Sequence, residues 1–276
     1  MAIDIARAQV FVEKYGTPLE RARLLGLLDP QRIDRVAPPA VAELLALQNP
    51  DGGFPFGLVA GRPSALSTTA STLYWLRDLK RSGSAEAQRA LDFLSARQTP
   101  RGIWREQRSI QQFNPPLWSD PESTAADIYT TGLCAGALAV FADDDLTVDL
   151  AVNWLQTQQA RDGLMAGFKA HSSWLTVPAF ERIFGNEARA TRRLIGGLGQ
   201  ILADEWPASM VAWMLQSLLD AGYTTRTALV DRAWHMLQQA QQPDGSFTGD
   251  DEEDSVVQTT LAAIDVALRF RRRGQA

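Results

Sequence analysis

One short pattern occurs four times along the 276-residue chain and constrains its fold more than any other feature. Each copy consists of a glutamine, three residues, a glycine, one residue and then a large apolar side chain. The four copies run from Gln48 to Phe54, Gln98 to Trp104, Gln159 to Met165 and Gln241 to Phe247. Turn residues such as Pro-Asp-Gly end a helix, because glycine accepts the positive φ of a helix terminus. The repetition therefore indicates an architecture built from repeated helical units.

Two kinds of helix alternate around these patterns. Apolar residues at helical spacing precede each glutamine, and a polar loop follows each pattern. Second helices rich in small residues are predicted after the loops, at 67–79, 123–141, 172–184 and 255–270. Thr124 with Asp127, and Ser255 with Gln258, look like N-terminal capping pairs. Further helices are predicted at 3–15, 19–28, 188–203 and 208–221.

Small residues on the second helices suggest how the pairs are arranged. Helices that crowd around a common axis need small side chains, so we expect the second helices inside and the helices before each glutamine outside. The sequence thus predicts one all-α domain over residues 1–276, with about six helix pairs in inner and outer rings. Residues 1–37 are expected to belong to the ring. An open solenoid of helix pairs would produce the same local pattern.

Charge and cysteine content exclude several classes of function. The formal net charge of −5 argues against a nucleic-acid surface. Residues 269–276 form a basic tail that we expect to be solvated, with weak attraction to anionic lipid as the alternative. A single cysteine, Cys134, excludes an internal disulfide. His171 and His235 lie far apart, so neither a metal site nor a cofactor is expected.

No feature of the sequence indicates export or membrane insertion. The N-terminal residues lack the apolar core of a signal peptide, and no apolar run suggests a membrane span. We therefore expect a cytoplasmic protein. Peripheral contact with a membrane, or with a partner protein subunit, remains open as an alternative.

The repeated unit resembles the QW motif of squalene and oxidosqualene cyclases, and related repeats occur in protein prenyltransferase β subunits. Gln98 to Trp104 is a complete match, whereas the copies at Gln48 and Gln241 carry phenylalanine in place of tryptophan. The resemblance spans about residues 38–270 and implies an α/α-toroid. It does not imply prenyltransferase activity, because the zinc ligands of those enzymes would require histidine at Thr130 and aspartate at Gly132.

The same resemblance points to acids as candidate catalytic residues. Class II terpenoid cyclases open an inner helix with an Asp-x-Asp-Asp-Thr-Ala run, and Asp251 to Ser255 stands at that place here. The resemblance implies that Glu253 donates a proton while Asp251 and Asp254 tune it. Aromatic faces stabilise carbocations. The candidate substrate-binding residues are the aromatic Trp75, Tyr129 and Trp213 together with Asp120, Glu122 and Asp127 of a second acidic stretch.

Three functions follow from these features. The first is an isoprenoid-handling enzyme that cyclises a polyprenyl substrate after protonation, as class II terpenoid cyclases do, although these generally combine two such domains. The second is a non-catalytic toroid that binds a prenyl chain, a lipid or a protein partner, with the acids serving only to stabilise helix N-termini. The third is an α/α-barrel carbohydrate enzyme that recruits Asp120, Glu122 and Asp127 as paired carboxylates.

Overall fold

The computed structural model describes residues 2–143, 145–249 and 253–274, with the side chains of 253–255 outside this description. Regular structure in these ranges is helical, apart from two isolated bridges that pair Pro55 with Ser64 and Gln159 with Met165. The α-helices are α1 Ile5–Tyr15, α2 Pro18–Leu28, α3 Ile33–Val36, α4 Pro38–Ala46, α5 Leu66–Asp78, α6 Ala85–Ala96, α7 Thr124–Phe141, α8 Asp145–Thr157, α9 Lys169–Phe184, α10 Arg189–Ile201, α11 Ala208–Asp220, α12 Ala228–Gln239 and α13 Glu253–Arg272.

Contacts group the helices into two compact units. The first unit comprises Met1–Leu44, Asp78–Lys80 and Leu202–Ala276, and the second comprises Leu45–Arg77 and Arg81–Ile201. Within the first unit, α13 packs against α1, α2 and α11. Within the second unit, α7 packs most extensively against α9 and also against α8.

The predicted helices are confirmed, with ends that shift by a few residues. The capping predictions are wrong in detail. Ser123, not Thr124, precedes α7, and its hydroxyl accepts a hydrogen bond from the Ala126 N–H. The final helix begins at Glu253, two residues before the predicted cap Ser255.

Each glutamine of the repeated pattern joins two segments of backbone. Its side-chain Nε2 donates both to the carbonyl of the glycine four residues later and to a carbonyl at the start of another helix. The second acceptors are Glu86 for Gln48, Thr147 for Gln98, Ala190 for Gln159 and Asp4 for Gln241, at 2.8, 2.8, 3.0 and 3.0 Å. The first three connect α4 to α6, α6 to α8 and α8 to α10, and the last connects the end of α12 to α1. Each glutamine therefore ties the end of the helix before it to the start of another helix.

The apolar residue that ends each pattern is fully buried, and its backbone N–H also has a fixed partner. The acceptor is a hydroxyl on the following inner helix, at 2.8 to 3.1 Å. The pairs are Phe54 with Thr69, Trp104 with Thr131, Met165 with Ser173 and Phe247 with Thr260. A buried N–H without an acceptor would be costly. These hydroxyls therefore hold the end of each repeated pattern against the helix that follows it.

Two features of the helices differ from expectation. By length and composition α7 is apolar enough to cross a membrane, contrary to the sequence prediction, but 67% of this stretch is buried within the protein, as in a core helix. The basic tail is helical through Arg272, and Arg269 is buried against Asp220 and Asp265 at 2.6 and 3.0 Å. The prediction of a solvated tail is therefore wrong for Arg269, because two carboxylates compensate its charge.

Candidate functional site

A row of three aromatic side chains lies in the second unit, and Tyr129 on α7 is its centre. The Tyr129 ring centroid lies 5.3 Å from that of Trp118 and 6.1 Å from that of Phe168. Trp118 belongs to the short turn Leu117–Ser119 and is 39% exposed, whereas Tyr129 and Phe168 are half-buried. Burial raises the pKa of Tyr129 to about 12. The row thus joins a partly exposed tryptophan to two half-buried rings.

An ion pair involves Asp127, two residues before Tyr129 on α7. Asp127 is 4% exposed. The Nε–H of Arg105 is shared between its two carboxylate oxygens, at 2.9 and 3.1 Å, and Nη2 of Arg105 donates to Oδ2. Hydrogen bonding and charge attraction from Asp127 raise the pKa of Arg105. Asp127 also lies in the first turn of α7, where the helix dipole favours a negative charge. The predicted substrate-binding carboxylate is therefore already paired within the chain.

Glu106, the residue after Arg105, is a buried carboxylate that holds two segments together. It accepts hydrogen bonds from the N–H groups of Leu66 and Ser67, the first two residues of α5, at 2.9 and 2.7 Å. The Ser67 hydroxyl donates to it at 2.6 Å, and the Ser119 hydroxyl lies 3.4 Å away. Desolvation raises the pKa of Glu106, while these donors oppose the shift. Glu106 thus caps α5 from a distance and anchors the turn that carries Trp118.

The other predicted substrate-binding residues have different surroundings. Asp120 accepts a hydrogen bond from the Glu122 N–H at 3.0 Å, as a turn-forming residue does. The Glu122 side chain is 60% exposed and lies 3.8 Å from Arg108. Trp75 lies on α5 in the second unit and Trp213 on α11 in the first, and each is only partly buried.

The predicted catalytic acids lie outside the described part of the structure. Asp251 precedes α13 and is not described. Glu253 and Asp254 are the first two residues of α13, but their side chains are outside the description. Their assignment as catalytic residues therefore stays a prediction.

The described residues contain neither a group placed to hold a metal ion nor a reactive thiol. No group of three or more histidine, cysteine, aspartate or glutamate side chains there is placed to hold a metal ion. Cys134 is fully buried on α7, and burial raises the pKa of its thiol well above the usual value. A neutral, enclosed thiol is a poor nucleophile.

Glu106 and Trp118 were missed by sequence reasoning. Glu106 follows Trp104 by two residues and sits in a segment without helical periodicity, so its burial has no local signal. Trp118 follows two prolines in a loop. The only sequence signal for Glu106 was its position two residues after a complete copy of the repeated pattern.

No protein-family model matches the chain, and no curated protein matches it. Solved structures do. The type II terpene cyclase MstE from Scytonema in its apo form matches with a TM-score of 0.65 and 15% identity, over 92% of this chain and 88% of that chain. A variant of MstE in complex with merosterolic acid A matches with a TM-score of 0.66 and 16% identity, over 97% and 96%. A protein from Actinoplanes matches with a TM-score of 0.65 and 19% identity, over 96% and 97%. At these identities the likeness shows the fold alone, which is the all-α, α/α-toroid fold.

Proposed function

We propose that this chain is an isoprenoid-handling enzyme that cyclises a polyprenyl substrate by protonation, in the manner of type II terpene cyclases. The observation that supports this most is the match to MstE, which extends over nearly the whole of both chains. One MstE variant has been solved with geranylgeranyl dihydroxybenzoate as its substrate. Class II cyclases generally combine two toroid domains, but this does not count against the proposal. The present chain, which has the fold of one toroid, covers 88% of the apo MstE chain.

The proposed reaction begins at the acids that open α13. The carboxyl group of Glu253 gives its proton to one carbon of a terminal alkene, and the other carbon becomes a tertiary cation. Successive double bonds then attack the cation and close rings, until loss of a proton leaves a product isomeric with the substrate. Asp251 and Asp254 have the role of tuning this acid in the proposal.

The aromatic residues have a separate role in the proposal. Carbocations are stabilised by the electron-rich faces of aromatic rings, and Trp118, Tyr129 and Phe168 form a continuous row of such faces.

Incubating the purified protein with geranylgeranyl dihydroxybenzoate in D₂O tests the proposal. We expect a cyclic isomer that carries one non-exchangeable deuterium, detected by mass spectrometry. Because a general acid contributes about 10²- to 10⁴-fold to a rate, Glu253→Gln is expected to lower turnover by at least about 100-fold. Glu187→Gln, at an acid whose side chain is 86% exposed, is the control and is expected to retain the wild-type rate.

The outcomes separate the candidate functions. Substrate binding without any cyclic product would support the non-catalytic alternative, and equal turnover by wild type and Glu253→Gln would contradict Glu253 as the acid. The carbohydrate alternative gains no support from the acidic loop, because Asp127 is paired with Arg105 and an oxygen of Asp120 is bonded within its own turn.

A further inference from the structure

A network of buried polar side chains in the first unit connects α13 to α2. Gln258 of α13 lies at its centre. The amide oxygen of Gln258 accepts a hydrogen bond from Nη1 of Arg23, and its Nε2 donates to Oε1 of Glu20 at 2.6 Å. Glu20 and Arg23 both belong to α2, and they are only 8% and 7% exposed. One glutamine of α13 is therefore held between two buried charges of opposite sign.

The two partners of Gln258 are themselves fixed by further bonds. Glu20 caps its own helix, because its Oε2 accepts a hydrogen bond from the Thr17 N–H at 2.7 Å. Arg23 forms a buried ion pair with Asp78, the last residue of α5, and its Nε and Nη2 donate to Oδ2 at 3.1 and 2.9 Å. Displacing Gln258 would therefore break bonds to buried charged groups whose other contacts are already set, which is costly.

Gln258 lies near the start of α13, where the proposed reaction begins. The helix starts at Glu253, and Gln258 comes four residues after Asp254, about one helical turn further on. Backbone hydrogen bonds join successive turns of a helix, so a shift at Gln258 would move the first turn of α13 with it. Reacting groups must stay within about 0.5 Å of their productive geometry, and neighbouring hydrogen bonds provide the support for this. The network is therefore placed to hold the turn that carries the proposed acids.

We propose that Gln258, Glu20 and Arg23 are positioning residues, which hold the first turn of α13 in the place that its acids need for protonating the substrate. This role rests on the proposed function, because it concerns the acid of that reaction. Stability alone does not account for the network, since burying two charges and an amide incurs a desolvation cost that apolar side chains of similar volume avoid. A fixed place for the start of α13 is what these bonds supply beyond packing.

Exchanging the amide and the carboxylate of the network tests this proposal, with turnover of geranylgeranyl dihydroxybenzoate as the measurement. In Gln258→Glu two carboxylates face each other, which is expected to displace the first turn of α13 and lower kcat by about tenfold or more, with KM changed by less than about threefold. Adding Glu20→Gln restores the hydrogen bond in the reverse direction. The double variant is therefore expected to recover to within about threefold of the wild-type kcat. Faster amide hydrogen exchange at Val257 to Thr260 in the single variant would report the displaced turn directly.

Gln216→Glu is the matched control, at the other end of the same helix. The Gln216 Nε2 donates to the buried carboxylate of Asp265 on α13 at 2.9 Å, so this substitution also brings two carboxylates together. A purely structural role for both glutamines predicts the same effect in the two single variants. We expect Gln216→Glu to lower the melting temperature as Gln258→Glu does, but to retain the wild-type kcat. Equal loss of kcat in the two would overturn the proposal.

Failure of the positioning role and failure of the proposed function give different results. Absence of a cyclic product from the wild type would contradict the proposed function and the positioning role with it. If the wild type cyclises the substrate, a double variant as slow as Gln258→Glu, or a single variant as fast as wild type, would contradict the positioning role alone. Gln258→Leu, which keeps the volume and adds no charge, is expected to show the same loss of kcat and provides the comparison if Gln258→Glu does not fold.

Discussion

Gly102→Ala is expected to lower the free energy of unfolding by about 3–4 kcal/mol, one of the two largest effects predicted for this chain. Gly102 has φ +80°, and a Cβ there would lie within 3.0 Å of the Leu150 carbonyl oxygen, which is backbone of α8. Backbone in a helix cannot move away as the tip of a flexible side chain can. The glycine is therefore required both by its own conformation and by the closeness of the next helix.

Gly61→Ala is the matched control for this experiment. Gly61 has nearly the same φ, +81°, but no atom lies within 4 Å of the position that a Cβ would occupy. Its substitution is expected to cost only about 1–2 kcal/mol, from the left-handed conformation alone. Urea unfolding followed by circular dichroism measures both variants. Equal destabilisation by the two substitutions would show that the close packing of α8 against Gly102 contributes nothing to the cost of Gly102→Ala.

The turns formed by the four repeated patterns could be predicted from the sequence, because they depend on residues close to one another in the chain. The pattern placed each helix end within two residues, since a glycine that must adopt positive φ leaves a sequence signal. The hydrogen-bond partners of the pattern's glutamine and of its last residue could not be predicted. The Gln98 amide binds the Thr147 carbonyl and the Trp104 N–H binds the Thr131 hydroxyl, and both partners are distant in sequence. Thr131 was interpreted only as a small residue for close packing, although it is also the hydrogen-bond acceptor of the corner.

The candidate site was less predictable, because its charges are neutralised by partners from other segments. Asp127 was expected near substrate, yet in the structure it is paired with Arg105. The next residue, Glu106, caps a different helix, α5. Trp118 was not anticipated because a loop has no periodicity from which its direction can be inferred. Tyr129 lies on the predicted helix α7, because the helical pattern of that segment is local, and its role in substrate binding stays a prediction.

Glu106→Ala is expected to lower the free energy of unfolding by at least about 3 kcal/mol, because it leaves two buried N–H groups without acceptors. Those groups belong to Leu66 and Ser67 at the start of α5. Faster amide hydrogen exchange at these two residues would identify the lost cap directly. Glu122→Ala, at an exposed acid on the neighbouring loop, is the control and should change stability by less than about 0.5 kcal/mol. Unchanged exchange in Glu106→Ala would contradict the capping role.

Glu106→Gln separates the charge of the carboxylate from its shape. Since burial raises the pKa of Glu106 in the folded protein, the folded state holds this proton more tightly than the unfolded state does. The stability linked to that proton is complete at low pH and falls as the pH rises above about 4.3, the ordinary pKa of glutamate, through the folded-state pKa. The neutral amide has no such dependence, so the free energy of unfolding of Glu106→Gln should rise relative to wild type between pH 4 and pH 8. A difference that stays constant across this range would mean that Glu106 is ionised as readily in the fold as in water, and that the donors from α5 fully offset the effect of its burial.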